Sequence, residues 1–181
     1  MNKKLKKWTF AGFFFVVLLG TLGHFLYDLT GGNPIIGKFF AVNESTWEHL
    51  KLLFFPFVLY WVVELFAIGK TYKNYAFAGL VGVLSGLLFI VAAFYTYTGI
   101  LGGNVDFLNI LTFVLGTAVA FWVEYKILTG KGNITLKTTS LIILIVIAFL
   151  FVIYTTNPPR IGLFKDPVTG EFGVQTEFDN N

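Results

Sequence analysis

The sequence predicts an all-α integral membrane bundle of five transmembrane helices, with the N-terminus in and the C-terminal tail outside. Three observations carry this. The 181-residue chain is 56% hydrophobic and only 13% charged, about half the usual charged share of a soluble domain. Its apolar residues, 22 Phe among them, gather into runs of roughly 18–23 residues, long enough as helices to cross a hydrocarbon core of about 30 Å. Its basic residues sort by membrane side.

The first run, Trp8 to about residue 29, follows Lys3, Lys4, Lys6 and Lys7. A basic start and an apolar centre also describe a signal peptide. This run is long enough to span, however, and Thr21-Leu22-Gly23-His24 is a poor cleavage site, so it is read as a retained helix. Gly31-Gly32-Asn33-Pro34 then marks a loop, whose residues 35–40 are apolar enough for the interface. Further spans are expected at about 46–68, 75–97, 107–128 and 138–155. Pro56 lies inside the second. It cannot donate to the Leu52 carbonyl and its ring crowds that group, so a kink is expected.

Residues 1–156 thus form one transmembrane domain, and 157–181 an extracytoplasmic tail. Pro158-Pro159 stop the last helix, and Asp166-Pro167-Val168-Thr169-Gly170 is a turn sequence suited to a small hairpin, with a flexible tail as the alternative.

With the N-terminus inside, nine basic residues fall inside (Lys3, Lys4, Lys6, Lys7, Lys70, Lys73, Lys126, Lys131, Lys137) and four outside (Lys38, Lys51, Arg160, Lys165). The positive-inside rule selects this orientation and places the chain as a multi-pass protein of the cell membrane. Trp8, Trp47, Tyr72, Tyr75 and Tyr97 fall at span ends, as an aromatic belt would. Ala78, Gly82 and Gly86 recur at four-residue spacing, with Gly116 and Ala120 in the next span. Such stripes let helix backbones approach closely, either within one chain or along a homodimer seam.

Composition also excludes several functions. The chain has no Cys, so disulfides, thiolate ligands and cysteine nucleophiles are absent. No Gly-rich phosphate loop follows a strand, and no basic-aromatic surface points to nucleic acid. The bilayer is the one partner that composition requires. Asn43-Glu44-Ser45 and Asn133-Ile134-Thr135 match the glycosylation acceptor pattern.

The polar residues concentrate in Asn43-Glu44-Ser45-Thr46-Trp47-Glu48-His49-Leu50-Lys51, at the mouth of the second span. His24 lies at almost the same depth in the first span, one helical turn from Asp28. Glu44 and Glu48 are also four apart and share a face if the helix starts early enough. His24, Asp28, Asn43, Glu44, Glu48 and His49 therefore form a candidate outward-facing pocket. Three readings stay open. Ser45 to Glu48 has the form of a capping box, which is purely structural. The imidazoles and carboxylates suit a zinc-like divalent metal, although no HExxH motif is present. A polar pocket without metal would bind a proton or a small polar ligand. In an enzyme, Glu48 or Glu44 would be the general base beside a metal-bound water, acting as a hydrolase on a lipid-like substrate.

Gly23-His24-Phe25-Leu26-Tyr27-Asp28, the Gly-Gly-Asn-Pro loop, the stretch from Asn43 to Pro56 and the tail from Phe164 to Gly173 together resemble an uncharacterised bacterial family of small multi-pass membrane proteins. The resemblance runs from the first span to the tail. It implies a membrane fold and supplies no activity.

Two more ionisable groups lie within spans. Glu64 and Glu124 sit near the inner ends of two helices that run the same way, at similar depth. Intramembrane carboxyls point to a proton or ion path, as in a proton-coupled transporter. Pairing with Lys70, Lys73 or Lys126 is the structural alternative.

Overall fold

The computed structural model describes residues 3–132 and 134–174. Asn133 of the second acceptor pattern and residues 175–181 of the tail lie outside the described residues. Helices run in the order α1 (Lys3–Leu29), α2 (Pro34–Gly37), α3 (Thr46–Ala67), α4 (Tyr75–Leu101), α5 (Asp106–Thr129) and α6 (Lys137–Thr156). Among the described residues, five of them (all but the four-residue α2) are long and apolar enough to cross a membrane.

The ends of the spans have local causes. α1 starts at Lys3 rather than Trp8, because Lys and Leu are good helix formers and Lys stems can lie along apolar surface. Leu5 is fully buried there, and Lys4 Nζ donates to the Ala67 carbonyl at 3.4 Å. α4 continues to Leu101, where Gly102 at φ 73° ends it in the left-handed region and returns its N–H to the Thr98 carbonyl. Glycine adopts that conformation without a Cβ penalty. α3 starts at Thr46, with the Ser45 hydroxyl accepting from the Glu48 N–H at 3.4 Å.

α3 is the central helix and packs against α1, α4, α5 and α6. It runs through Pro56, which leaves the Leu52 carbonyl without its helical donor. Gly20 of α1 lies against that carbonyl: a Cβ there would come within 2.5 Å of the oxygen. The proline and the glycine thus form one local arrangement that brings α1 onto α3.

α4 and α5 pack more extensively than any other pair of elements. Gly82 lies against the Ala120 carbonyl and Gly86 against the Gly116 carbonyl, where an added Cβ would sit at 2.8 and 2.7 Å. Ala78 is fully buried. The small-residue stripe therefore packs against helices of its own chain.

The lipid-compatible surface is equally explicit. Phe10, Phe14, Leu18, Leu22 and Phe25 stand exposed along α1, and Ile142, Ile145 and Phe149 along α6. Apolar area of this extent is stable against lipid, not water. Two expected belt aromatics point elsewhere. Trp47 packs on Phe151, Tyr154 and Phe164, with centroids 4.5, 5.7 and 4.7 Å away. Tyr75 is buried and stacks on Trp61 at 5.0 Å.

The described part of the tail folds back over the His-bearing end. Lys165 and Phe172 form an isolated antiparallel bridge, and the Asp166 side chain accepts from the N–H groups of Val168 and Thr169. The Val174 N–H donates to the Thr155 carbonyl at 3.1 Å, which ties the tail to the end of α6.

Candidate metal centre

His24 comes from the last turns of α1, Glu44 from the connection before α3, and His49 from the first turn of α3. The hairpin arithmetic that puts the end of one span beside the start of the next brings them together. His24 Nε2 lies 3.1 Å from His49 Nε2. Glu44 presents Oε1 to His24 at 3.6 Å and Oε2 to His49 at 3.5 Å. One ligand atom from each residue falls within 4.8 Å of the others, so the group could hold a metal ion.

The surroundings prepare the ligands. His49 Nδ1 lies 2.9 Å from the Ser45 carbonyl. A carbonyl only accepts, so Nδ1 carries the hydrogen and the lone pair is left on Nε2, which faces His24 and Glu44. Ser45 thereby caps α3 with its hydroxyl and orients His49 with its carbonyl. Glu44 is braced from the tail, its N–H donating to Asp166 Oδ2 at 3.3 Å. The His24 imidazole beside it holds the Glu44 carboxyl below the usual carboxylate range; burial opposes this, and the nearby His49 ring adds to it.

The other expected pocket residues lie elsewhere. Glu48 is buried and paired with Lys51, in contact with its Nζ, and Glu48 Oε2 also accepts from the Val42 N–H at 3.2 Å. The spacing of Glu44 and Glu48 implies a shared face only within a helix. α3 starts at Thr46, so Glu44 precedes it and helical spacing does not govern its direction. Asn43 turns to the tail, donating from Nδ2 to the Gly173 carbonyl at 3.0 Å, while its Oδ1 accepts from the Ser45 N–H. Asp28 is exposed one turn beyond His24 and is outside the three-ligand group.

Three features of this end escape the sequence reading. Lys51, counted there as an outer basic residue, is fully enclosed: besides Glu48, its Nζ donates to the Gly37 carbonyl at 2.7 Å and to Thr155 Oγ1 at 2.9 Å. That triple anchor joins α3 to α2 and α6. Asp166 braces Glu44 from 122 residues away. Asn104 arrives from the α4–α5 connection and Asn109 from the first turn of α5, and together with Glu44, Thr46 and His49 they line a cavity of about 60 Å³. The presence of a lysine in the first turns of a membrane span was the one available signal for the first feature.

At the opposite end, Glu64 and Glu124 are both buried. The Tyr75 hydroxyl lies 2.7 Å from the Trp61 carbonyl and 3.1 Å from Glu64 Oε2. Glu124 Oε1 is buried with no hydrogen-bond partner among the described residues. Lys70 and Lys126, the expected pairing partners, lie over the rings of Phe66 and Trp122 at 5.3 and 5.7 Å.

Comparison with curated proteins and with solved structures returns no match. The profile described as a family of unknown function (DUF6512) matches residues 1–174, nearly the whole chain, and the protein belongs to that family.

Proposed function

We propose that the chain is a multi-pass protein of the cell membrane whose outward-facing end binds one divalent metal ion, zinc-like by ligand type, through His24, His49 and Glu44. The observation that carries the reading is the convergence of two imidazole nitrogens, 3.1 Å apart, on the Glu44 carboxylate, whose Oε1 lies 3.6 Å from His24 and whose Oε2 lies 3.5 Å from His49, so that one ligand atom from each residue falls within 4.8 Å of the others. Zinc–ligand bonds of about 2.0–2.1 Å at tetrahedral angles give ligand separations of about 3.3 Å. Six-coordinate geometry at about 2.1 Å would draw the atoms to about 3.0 Å. The 3.1 Å between the two imidazole nitrogens lies between these values, and the choice of zinc rests on the ligand types, two imidazoles and a carboxylate. The Ser45 carbonyl on His49 Nδ1 is the kind of outer contact that fixes a ligating imidazole.

Three protein ligands leave a fourth position open, the pattern of zinc sites that do chemistry rather than hold structure. A metal-assisted hydrolase is the activity that this pattern favours. Glu48, expected with Glu44 as a general base, is instead engaged by Lys51 and lies outside the three-ligand group. Residues 1–156 supply the membrane domain, and the tail from residue 157 braces Glu44 through Asp166. Titration of metal-free, detergent-solubilised protein with Co²⁺ tests the reading. The proposal expects the intense visible bands of a four-coordinate site at one equivalent, lost in His24→Ala and His49→Ala. Weak octahedral bands, or bands unchanged in both variants, overturn it.

A second reading rests on Glu124 Oε1, unpartnered among the described residues, beside Glu64. A proton path through the two carboxyls would make the protein a proton-coupled transporter. It predicts that proton uptake into proteoliposomes is lost in both Glu64→Gln and Glu124→Gln; uptake unchanged in these variants removes it.

A further inference from the structure

The ligand that meets the open side of the metal can be read from the adjoining cavity, and this step rests on the metal centre proposed above. Glu44 and His49 belong to the cavity wall, whereas His24 approaches from α1 and does not. A metal held by all three would adjoin the cavity through Glu44 and His49. The cavity measures about 60 Å³. A single water needs at least about 10–15 Å³ on the same scale. The space thus admits a head group of several heavy atoms, and a longer chain would have to remain outside it.

The chemistry of the wall narrows the head group. Leu52, Ile90 and Phe113 supply apolar surface, while Asn104 and Asn109 add amides to a wall that also holds Glu44 and His49. The amide of Asn109 is held on both sides. Its Oδ1 accepts from the Tyr97 hydroxyl, and its Nδ2 donates one hydrogen to Asn104 Oδ1 at 2.6 Å. An amide nitrogen carries two hydrogens, so the second remains for a ligand. No lysine or arginine lines the cavity among the described residues, and Lys51 is sealed behind Glu48, Gly37 and Thr155. Phosphoryl groups carry multiple negative charge and are recognised by charge-assisted donors, Arg and Lys above all. Here the second charge near a phosphoryl group would be the Glu44 carboxylate. A carbonyl asks only for the metal and one or two neutral donors.

We infer that this cavity takes the acyl head of an amphiphile, the carbonyl of an ester or amide, with its oxygen between the metal and the Asn109 amide, and that it discriminates against phosphoryl groups. The site would then serve acyl chemistry at a lipid-facing surface and not phosphate-ester chemistry.

The experiment is calorimetric titration of zinc-loaded protein in detergent with two probes of equal chain length, octanohydroxamate and octylphosphonate. Zinc content is measured on the same samples. The expected result is hydroxamate affinity at least tenfold above phosphonate affinity. Asn109→Leu and the nearly isosteric Asn109→Asp, which keeps the shape and removes the donor, should each weaken hydroxamate about tenfold with zinc content unchanged. Phosphonate binding as tight as hydroxamate overturns the inference, as does hydroxamate affinity that neither Asn109 variant alters. Zinc retained with neither probe bound overturns it while leaving the metal centre standing. Wild-type protein that takes up no zinc removes the metal centre and this inference with it.

Discussion

Replacing Lys51 with methionine removes one charge from the middle of the His-bearing end and keeps nearly the same length and volume. In the native protein the ammonium has three partners (the Glu48 carboxylate, the Gly37 carbonyl and Thr155 Oγ1) and no exposure. Without it, Glu48 stays buried with Oε1 already unpartnered among the described residues and only the Val42 N–H on Oε2. Removing one member of a buried ion pair costs about 3–5 kcal/mol, because the other charge is left stranded. For a chain of this size each kcal/mol moves the melting temperature by about 2–4 °C. Lys51→Met should therefore lower Tm by roughly 6–20 °C, read by helical circular dichroism in detergent. The double variant Glu48→Gln/Lys51→Met is neutral at both positions and keeps an acceptor for Val42. It should recover more than half of the loss. A single variant that melts within about 2 °C of wild type, or a double variant no better than the single, would refute the stranded-charge argument.

Other perturbations probe the remaining contacts. Gly86→Leu forces a side chain against the Gly116 carbonyl and should destabilise by at least the roughly 1–3 kcal/mol of an overpacked core, measured by thermal unfolding; a neutral result would mean that α4 and α5 are less tightly seated than described. Tyr75→Phe leaves the stacking on Trp61 but removes the hydroxyl shared by the Trp61 carbonyl and Glu64. It should cost about 1–3 kcal/mol, and an unchanged melting temperature would count against that contact. Asp166→Ala releases Glu44 and the tail turn, and Co²⁺ affinity should fall on the order of tenfold, as for the loss of an outer-shell contact, while the bundle stays folded. Equal affinity would show that Glu44 needs no brace.

The spans were legible because a run of about 20 apolar residues has few other uses. Their ends were less so: α1 begins at Lys3 because lysine continues a helix that hydropathy alone would start at Trp8. His24 and His49 could be placed together from depth alone, since they flank one hairpin. Glu44 and Glu48 could not be told apart, because their spacing has meaning only once the first helical residue is known, and Thr46 makes the difference. Lys51 misled the charge count, which treats each basic residue as solvated, whereas this one has its counter-charge a single turn away. Asn104, Asn109 and Asp166 join the site across long stretches of chain. No local pattern encodes such contacts. Pro56 predicts a kink from sequence, but its partner Gly20, which lies on the carbonyl that the proline frees, is visible only in three dimensions.

The most direct test of the central claim is zinc content per chain, by elemental analysis of protein purified without chelator or affinity-tag metal. Wild type, His49→Ala, Glu44→Gln and Glu48→Gln should be prepared side by side. The account predicts close to one zinc per chain in wild type and in Glu48→Gln, sharply reduced content in Glu44→Gln, and loss in His49→Ala. Wild type without metal would contradict it. So would a Glu48→Gln variant that loses zinc as fully as His49→Ala while remaining folded, because Glu48 would then be a ligand and the pairing with Lys51 a misreading of the site.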